Sequence, residues 1–152
     1  MDALPVLLVE DNPNDIELTI RAFSHSGIAN PILTARDGVE ALELLHATGA
    51  HVGAPPLVPA VILLDLNLPR IDGLECLRRL RADPRTRLLP VVILTTSVED
   101  DDRIKGYERG ANSYIRKPVD FGEFAKVVAT LGVYWLAINV PPPLPSTPIT
   151  AR

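Results

Sequence analysis

The chain has 152 residues, of which 47% are hydrophobic and 22% charged, with a formal net charge of -4. That length and balance suit one globular domain with its own core. The acidic balance argues against nucleic acid as a main partner, the single cysteine, Cys76, excludes a disulfide framework, and no uninterrupted apolar run nears the ~20 residues of a membrane helix.

Taken in chain order, short apolar runs alternate with amphipathic stretches. Met1–Pro5 has no positive region before the first run, so we read no signal peptide and expect a cytoplasmic protein without a membrane partner. Val6–Val9 is the first run and ends in Glu10-Asp11. Asn12-Pro13 then reads as a helix cap with proline in the first turn, and Ile16, Ile20 and Phe23 share one helix face. Ile32–Ala35 is a weaker second run, followed by the stripe Val39, Leu42, Leu45. A Pro-rich loop, 47–59, leads to the third run, Val61–Leu64, and to the stripe Leu74, Leu77, Leu80. Val91–Leu94 is the fourth run. Ser97 with Asp100 resembles a capping box for a fourth helix whose inward face would carry Ile104 and Tyr107. Ser113–Arg116 is the fifth run, and Phe121, Phe124, Val128, Leu131 and Trp135 form the last stripe. Residues 1–139 read as one domain with an extended last helix, and 140–152 as an extended Pro-rich tail too short to be an output domain.

Five strand–helix repeats imply a parallel sheet with helices on both faces, since the first, third and fourth runs show no polar alternation. Right-handed crossovers leave a flavodoxin-like, doubly wound α/β sheet of order 2-1-3-4-5 as the simplest topology. Ligands of such sheets bind beyond the carboxyl ends of the strands. Those ends carry Glu10-Asp11, Asp65 with Asn67 just after it, Thr95, and Lys117 before Pro118.

Three carboxylates brought together repel one another unless a cation neutralises them. A hard divalent ion such as Mg²⁺ suits oxygen ligands of this kind. Asp65 could then attack phosphorus and form an aspartyl phosphate, with Lys117 meeting the phosphoryl oxygens and Thr95 donating to one of them.

The pieces Leu8–Asn12, Leu63–Pro69, Asp72-Gly73, Ile93–Ser97 and Tyr114–Pro118 stand in an order and spacing that resemble the receiver domains of two-component response regulators, over roughly residues 5–131. The resemblance implies Asp65 as phosphoacceptor, a Mg²⁺ site of Glu10, Asp11, Asp65 and the backbone carbonyl of Asn67, a switch pair Thr95 and Tyr114, and Lys117 as the site lysine. It implies that Asn67 and Ser97 set the phosphoryl lifetime. The long second loop and the ending Tyr134-Trp135-Leu136 followed by prolines are similar to stand-alone regulators of phytochrome-type histidine kinases. That implies a light-sensing kinase as donor and a homodimer through Tyr134, Trp135 and Leu136.

Plainer readings compete at several positions. Asp11 could merely cap a helix, and Tyr114 could be core. The aromatic pair could fold back on its own domain, although Val133–Val140 would leave a large apolar patch on a monomer. Arg78, Arg79, Arg81, Arg85 and Arg87 read as a solvated face, Cys76 as buried and inert, and His25, His46 and His51 have no ligand spacing. Two other functions stay open: a phosphorylation-independent dimer scaffold, and a Mg-dependent aspartyl phosphotransferase. The second lacks an acid two residues after the nucleophile, where Asn67 stands.

Overall fold

The computed structural model describes residues 3–143. Its elements, in order, are β1 (Val6–Val9), α1 (Pro13–His25), β2 (Ile32–Ala35), α2 (Gly38–His46), a 3-10 turn (Gly49–His51), β3 (Val61–Leu64), α3 (Gly73–Ala82), β4 (Val91–Thr95), α4 (Asp100–Glu108), β5 (Ser113–Arg116) and α5 (Phe121–Val133), which runs into a π-helical turn (Tyr134–Ile138). The strands form one parallel sheet of order β2-β1-β3-β4-β5, as the βα rhythm predicts.

Alternation along each buried strand divides the core. Leu7, Val9, Ile62, Leu64, Val91 and Ile93 face one layer, where Ala41, Leu45, Cys76, Leu77 and Leu80 of α2 and α3 meet them. Val6, Leu8, Val61, Leu63, Val92 and Leu94 face the other, closed by Ile16, Phe23, Phe124, Val128 and Leu131 of α1 and α5. The close approach of α1 and α5 depends on Gly132, where a Cβ would lie 2.6 Å from the Phe23 ring.

Helix starts follow local chemistry. Asn12, Asp37, Asp72 and Asp120 each accept from a backbone N–H in the first turn of α1, α2, α3 and α5. The fourth helix differs from its expected start. Glu99 occupies the cap position without a side-chain bond, and Ser97 instead donates to Asp102 at 2.6 Å while accepting from the Glu99 N–H.

Several outward residues correct the sequence stripes. Ile104 and Tyr107 are more than half exposed, and α4 buries Gly106, where a Cβ would lie 2.8 Å from Ile93 Cδ1. Glycine permits a close approach that no apolar stripe announces. Ile20 and Phe121 also face outward. Their places in the core are filled by Thr19, whose hydroxyl is satisfied by the Asp15 carbonyl, and by Phe124.

Arg81 is not a solvated side chain. Its guanidinium donates to the carbonyls of Gly110, Arg87 and Leu89 and to Asn112 Oδ1, at 2.8–3.1 Å. It thereby ties the α3–β4 connection to the α4–β5 turn. Arg78 and Arg79 are exposed and pair with Glu75.

Among the described residues one helical stretch, Phe121–Ile138, is long and apolar enough on average to meet the length and composition of a membrane span. Glu123 and Lys126 interrupt it, so it holds no uninterrupted apolar run of that length. Its residues Phe124, Val128 and Leu131 are packed into the core, with Trp135 and Leu136 against the same layer. Pro141–Pro143 border a small cavity with Leu4, Pro59, Leu88 and Pro90. Residues 144–152 of the expected tail lie outside the described residues.

Candidate functional site

The sheet ladder runs one residue past three strands and thereby delivers the site. Glu10 N–H donates to Ala35 O, Asp65 N–H to Val9 O, and Lys117 N–H to Thr95 O, at 2.9, 3.1 and 2.7 Å. Each donor is thereby pinned by its backbone at the carboxyl edge, while its side chain turns into one cleft.

Lys117 Nζ lies at the centre. It donates to Glu10 Oε1 at 2.6 Å, Asp15 Oδ2 at 2.9 Å and Asp65 Oδ2 at 3.2 Å. Glu10, Asp65 and Lys117 are all buried. Burial favours the neutral form of Glu10, and the Asp65 charge adds to it, so its carboxyl is raised to about 7 although Lys117 opposes the shift. For Lys117, burial works against the charged form, but the Glu10 hydrogen bond and the Asp65 and Glu10 charges outweigh it and lift the ammonium above its ordinary value. Lys117 therefore stays charged, and the buried acids share one cation.

Carboxylate oxygens of Glu10, Asp11 and Asp65 all lie within 4.8 Å of one another, with Asp11 at the exposed mouth. This all-oxygen set, with one acid raised chiefly by its burial, fits a hard divalent cation. Asn67 sits beside it, its N–H 3.4 Å from Asp65 Oδ1.

Thr95 is fully buried at the end of β4, and its Oγ1 accepts from the Ser97 N–H at 3.3 Å. Tyr114, on β5, is half-buried against the core layer of α2 and α3, and its phenolic oxygen is buried with no hydrogen-bond partner within the distance and angle of a good bond among the described residues. Tyr134, Trp135 and Leu136 lie in the π-helical turn that continues α5 and make no contact with the cleft residues among the described hydrogen bonds and ion pairs. Trp135 and Leu136 pack on their own domain, while Tyr134 is nearly half exposed and stands edge-on to Trp135.

Two features were not found in the sequence. Asp15 supplies a third carboxylate to Lys117, and its only advance signal is its place in the first turn of a helix that starts beside Glu10-Asp11. Arg70 makes a two-point ion pair with Asp37, both bonds 3.0 Å, from a left-handed backbone at φ +65°. It ties the loop after Asp65 to the start of α2, and residues 33 apart give no local sign of such a pair.

Compared with known proteins, residues 6–129 match the response regulator receiver domain. The chain is 40% identical over 141 residues to the probable methanogenesis regulatory protein FilR2 of Methanothrix harundinacea, covering 93% of this chain and 89% of that one. It is 37% identical over 131 residues to response regulator Rcp1 of Synechocystis, covering 86% and 88%. Among solved structures, the phosphorylated cyanobacterial phytochrome response regulator RcpA aligns with a TM-score of 0.86 at 36% identity, over 94% of this chain and 100% of that one. The Mn²⁺-bound form of Rcp1 aligns equally well, at 0.86 and 36%, over 92% and 99%.

Proposed function

Because this chain belongs to the response regulator receiver family, we propose that it works by accepting a phosphoryl group on Asp65 from a histidine kinase of the phytochrome type. The observation that carries the reading is the buried Lys117 ammonium held 3.2 Å from Asp65 Oδ2, with the Glu10 and Asp11 carboxylates on the same edge. Asp65 is the phosphoacceptor in this reading, Lys117 and Thr95 assist, and Tyr114 follows Thr95. The protein acts as a phosphoacceptor and not as an enzyme on other substrates, although its own residues promote both loading and loss of the phosphoryl group.

Mg²⁺ would be held by the carboxylates of Glu10, Asp11 and Asp65 and the carbonyl of Asn67, and when bound it neutralises charge on the acids and on the incoming phosphoryl oxygens. Asp65 is aimed by its backbone bond to β1 and presents one carboxylate oxygen as nucleophile. Lys117 is kept charged and can exchange a carboxylate partner for a phosphoryl oxygen at little cost, since it already faces three acceptors. Thr95 needs only to release the Ser97 N–H to turn its hydroxyl toward the new oxygens. Phosphorylation thus adds charge and acceptors at one end of β3, β4 and β5 and biases the loop after β4 between two arrangements.

The phytochrome pairing is supported by the likeness to the cyanobacterial phytochrome response regulator RcpA along its whole length. The reading places the protein in the cytoplasm, with residues 1–139 as the receiver unit, 140–152 as its tail, and no nucleic acid or membrane partner. We also assign a homodimer to the last turn. Tyr134, with Trp135 and Ile115, lines an open apolar hollow of about 330 Å³ on α5, and an aromatic beside such a hollow suits an interface anchor.

The test is intact mass after incubation with Mg²⁺ and a small acyl phosphate, wild type beside Asp65→Asn. One phosphoryl adduct, absent from the variant and absent without Mg²⁺, is the expected result. A folded wild type that gains no adduct would overturn the reading in favour of a phosphorylation-independent dimer scaffold. Dimerisation is checked separately by sedimentation of wild type and Tyr134→Asp.

A further inference from the structure

The Lys117 ammonium has three N–H donors and spends each on a carboxylate: Glu10 Oε1 at 2.6 Å, Asp15 Oδ2 at 2.9 Å and Asp65 Oδ2 at 3.2 Å. Two of these acceptors have a second use. Glu10 and Asp65, together with Asp11, make up the oxygen cluster that fits a divalent cation. A cation and the ammonium therefore compete for the same carboxylates, and they repel each other. Asp15 stands outside that cluster and is the acceptor that Lys117 does not share. It is also held where it stands. Its N–H donates to Asn12 Oδ1 at 3.2 Å, and its carbonyl accepts from the buried Thr19 hydroxyl at 2.7 Å. The Asp15 side chain is part-exposed while that of Lys117 is buried, so the carboxylate reaches the ammonium from the rim of the cleft. A first-turn acid favours the helix dipole without any such contact, so the helix alone does not account for the inward turn.

We propose that Asp15 is a positioning residue for the metal site: it keeps the Lys117 ammonium in the cleft on an acceptor of its own, so that Glu10 and Asp65 can turn their oxygens to a divalent cation. The inference deepens the phosphoacceptor reading and rests on the metal site within it. Without the Asp15 carboxylate, Lys117 draws on Glu10 and Asp65 alone. It then either withholds them from the cation or gives them up and is left as a buried charge without a partner, which is costly. Both courses weaken the cation's hold. With Asp15 present, the ammonium keeps one charged hydrogen bond throughout, and its other two N–H groups stay available for phosphoryl oxygens. Asp15 acts through Lys117 and touches no reacting atom.

The probe is Mn²⁺ alone, its free concentration read by EPR with no phosphodonor present. Asp15→Asn should weaken Mn²⁺ binding about tenfold, the scale of one hydrogen bond to a charged group. Glu17→Gln removes the same charge from the exposed side of α1, where Glu17 pairs with Arg21, and should change the affinity by under about twofold. In a Lys117→Met background the Asp15→Asn loss should also shrink to under about twofold, since Asp15 then has no ammonium to hold. An unchanged affinity in Asp15→Asn, or the same loss with and without Lys117, would overturn the proposal. A second measurement keeps the lysine in place and serves if Lys117→Met does not fold. The protein is labelled with ¹⁵N-lysine, and the buried ammonium is followed by ¹H–¹⁵N NMR as Mg²⁺ is added. The Lys117 signal, protected from exchange with water, should survive saturating Mg²⁺ in wild type and vanish in Asp15→Asn. The same response in both proteins would overturn the proposal. If wild type binds no Mn²⁺, the metal site of the proposed function fails and this inference with it. If wild type and Asp15→Asn bind Mn²⁺ equally well, the metal site stands and only the role of Asp15 falls.

Discussion

Gly73→Ala should damage loading of Asp65 far more than it damages the fold. Gly73 opens α3, and a Cβ there would lie 2.2 Å from the Asp65 carbonyl oxygen and 2.7 Å from Leu66 Cα. Such contacts do not occur below 3.0 Å, so a gap of at least 0.8 Å must open. The blocking atoms are backbone, and the Gly73 N–H is itself bonded to Leu66 O at 2.9 Å, so no flexible side chain can absorb the shift. Overpacking of this kind costs about 1–3 kcal/mol, offset by up to about 1 kcal/mol from the better helix propensity of alanine. The net loss is about 1–2 kcal/mol, or roughly 3–6 °C in Tm at this chain length. The same displacement moves the residue that carries the acceptor carboxylate, and a misplacement near 1 Å costs a reacting group roughly 100-fold in rate. The assay is initial phosphorylation rate with an acyl phosphate and Mg²⁺, beside urea unfolding. Gly122→Ala is the control, since a Cβ there would meet only the end of the Asp120 side chain, at 3.2 Å, and no backbone. Wild-type loading by a folded Gly73→Ala protein would refute the reasoning that this contact sets the acceptor's position.

Three further outcomes follow from the described contacts. Arg81→Met should cost about 3 kcal/mol in urea unfolding, because charged hydrogen bonds, here to carbonyls that are mostly part-buried, are worth about 1.5–3 kcal/mol each and are not additive; Arg79→Met, on the exposed side of the same helix, should cost under about 0.5 kcal/mol. Lys117→Met should cost about 3 kcal/mol in the presence of a chelator, by stripping buried acids of their cation, and added Mg²⁺ should narrow the gap to wild type; a gap blind to Mg²⁺ would count against the metal site. His46 is held below its ordinary pKa, by burial first and by Arg85, against the pull of Asp83 at 3.5 Å. The unfolded chain therefore binds this proton more readily, stability is fully present above the ordinary histidine value, and it falls as pH drops through that range. His46→Gln should flatten the fall of unfolding free energy between about pH 7 and pH 5, and an equally steep fall in the variant would remove His46 as its source.

Sheet and site were legible to different depths. Val6–Val9, Val61–Leu64 and Val91–Thr95 are buried on both faces, so their uninterrupted apolar runs gave strands, order and the positions of Glu10, Asp65 and Thr95 together. Lys117 followed because a strand end before proline fixes where a side chain emerges. Asp15 was hidden by its setting, since an acid in a first turn ordinarily serves the helix dipole. The outward face of α4 misled for a different reason. A helix that docks through a glycine leaves Ile104 and Tyr107 outside, and hydrophobic pattern cannot tell an exposed apolar stripe from a buried one. Arg81 and Arg70 find partners across loops, and nothing in local sequence encodes such meetings.

The union of Lys117 with Glu10 spans 107 positions of chain. During synthesis the first acids leave the ribosome well before the lysine, at roughly 5–20 residues per second. For those seconds β1 to β4 can gather and Asp65 can already bond its N–H to Val9 O, while its carboxylate has no ammonium beside it. On the proposed phosphoacceptor reading, a phosphodonor meeting the nascent chain would find a carboxylate that is not yet receptive, and competence would arrive only when the last strand docks, so that an incomplete or proteolysed copy would draw no phosphoryl groups away from finished ones.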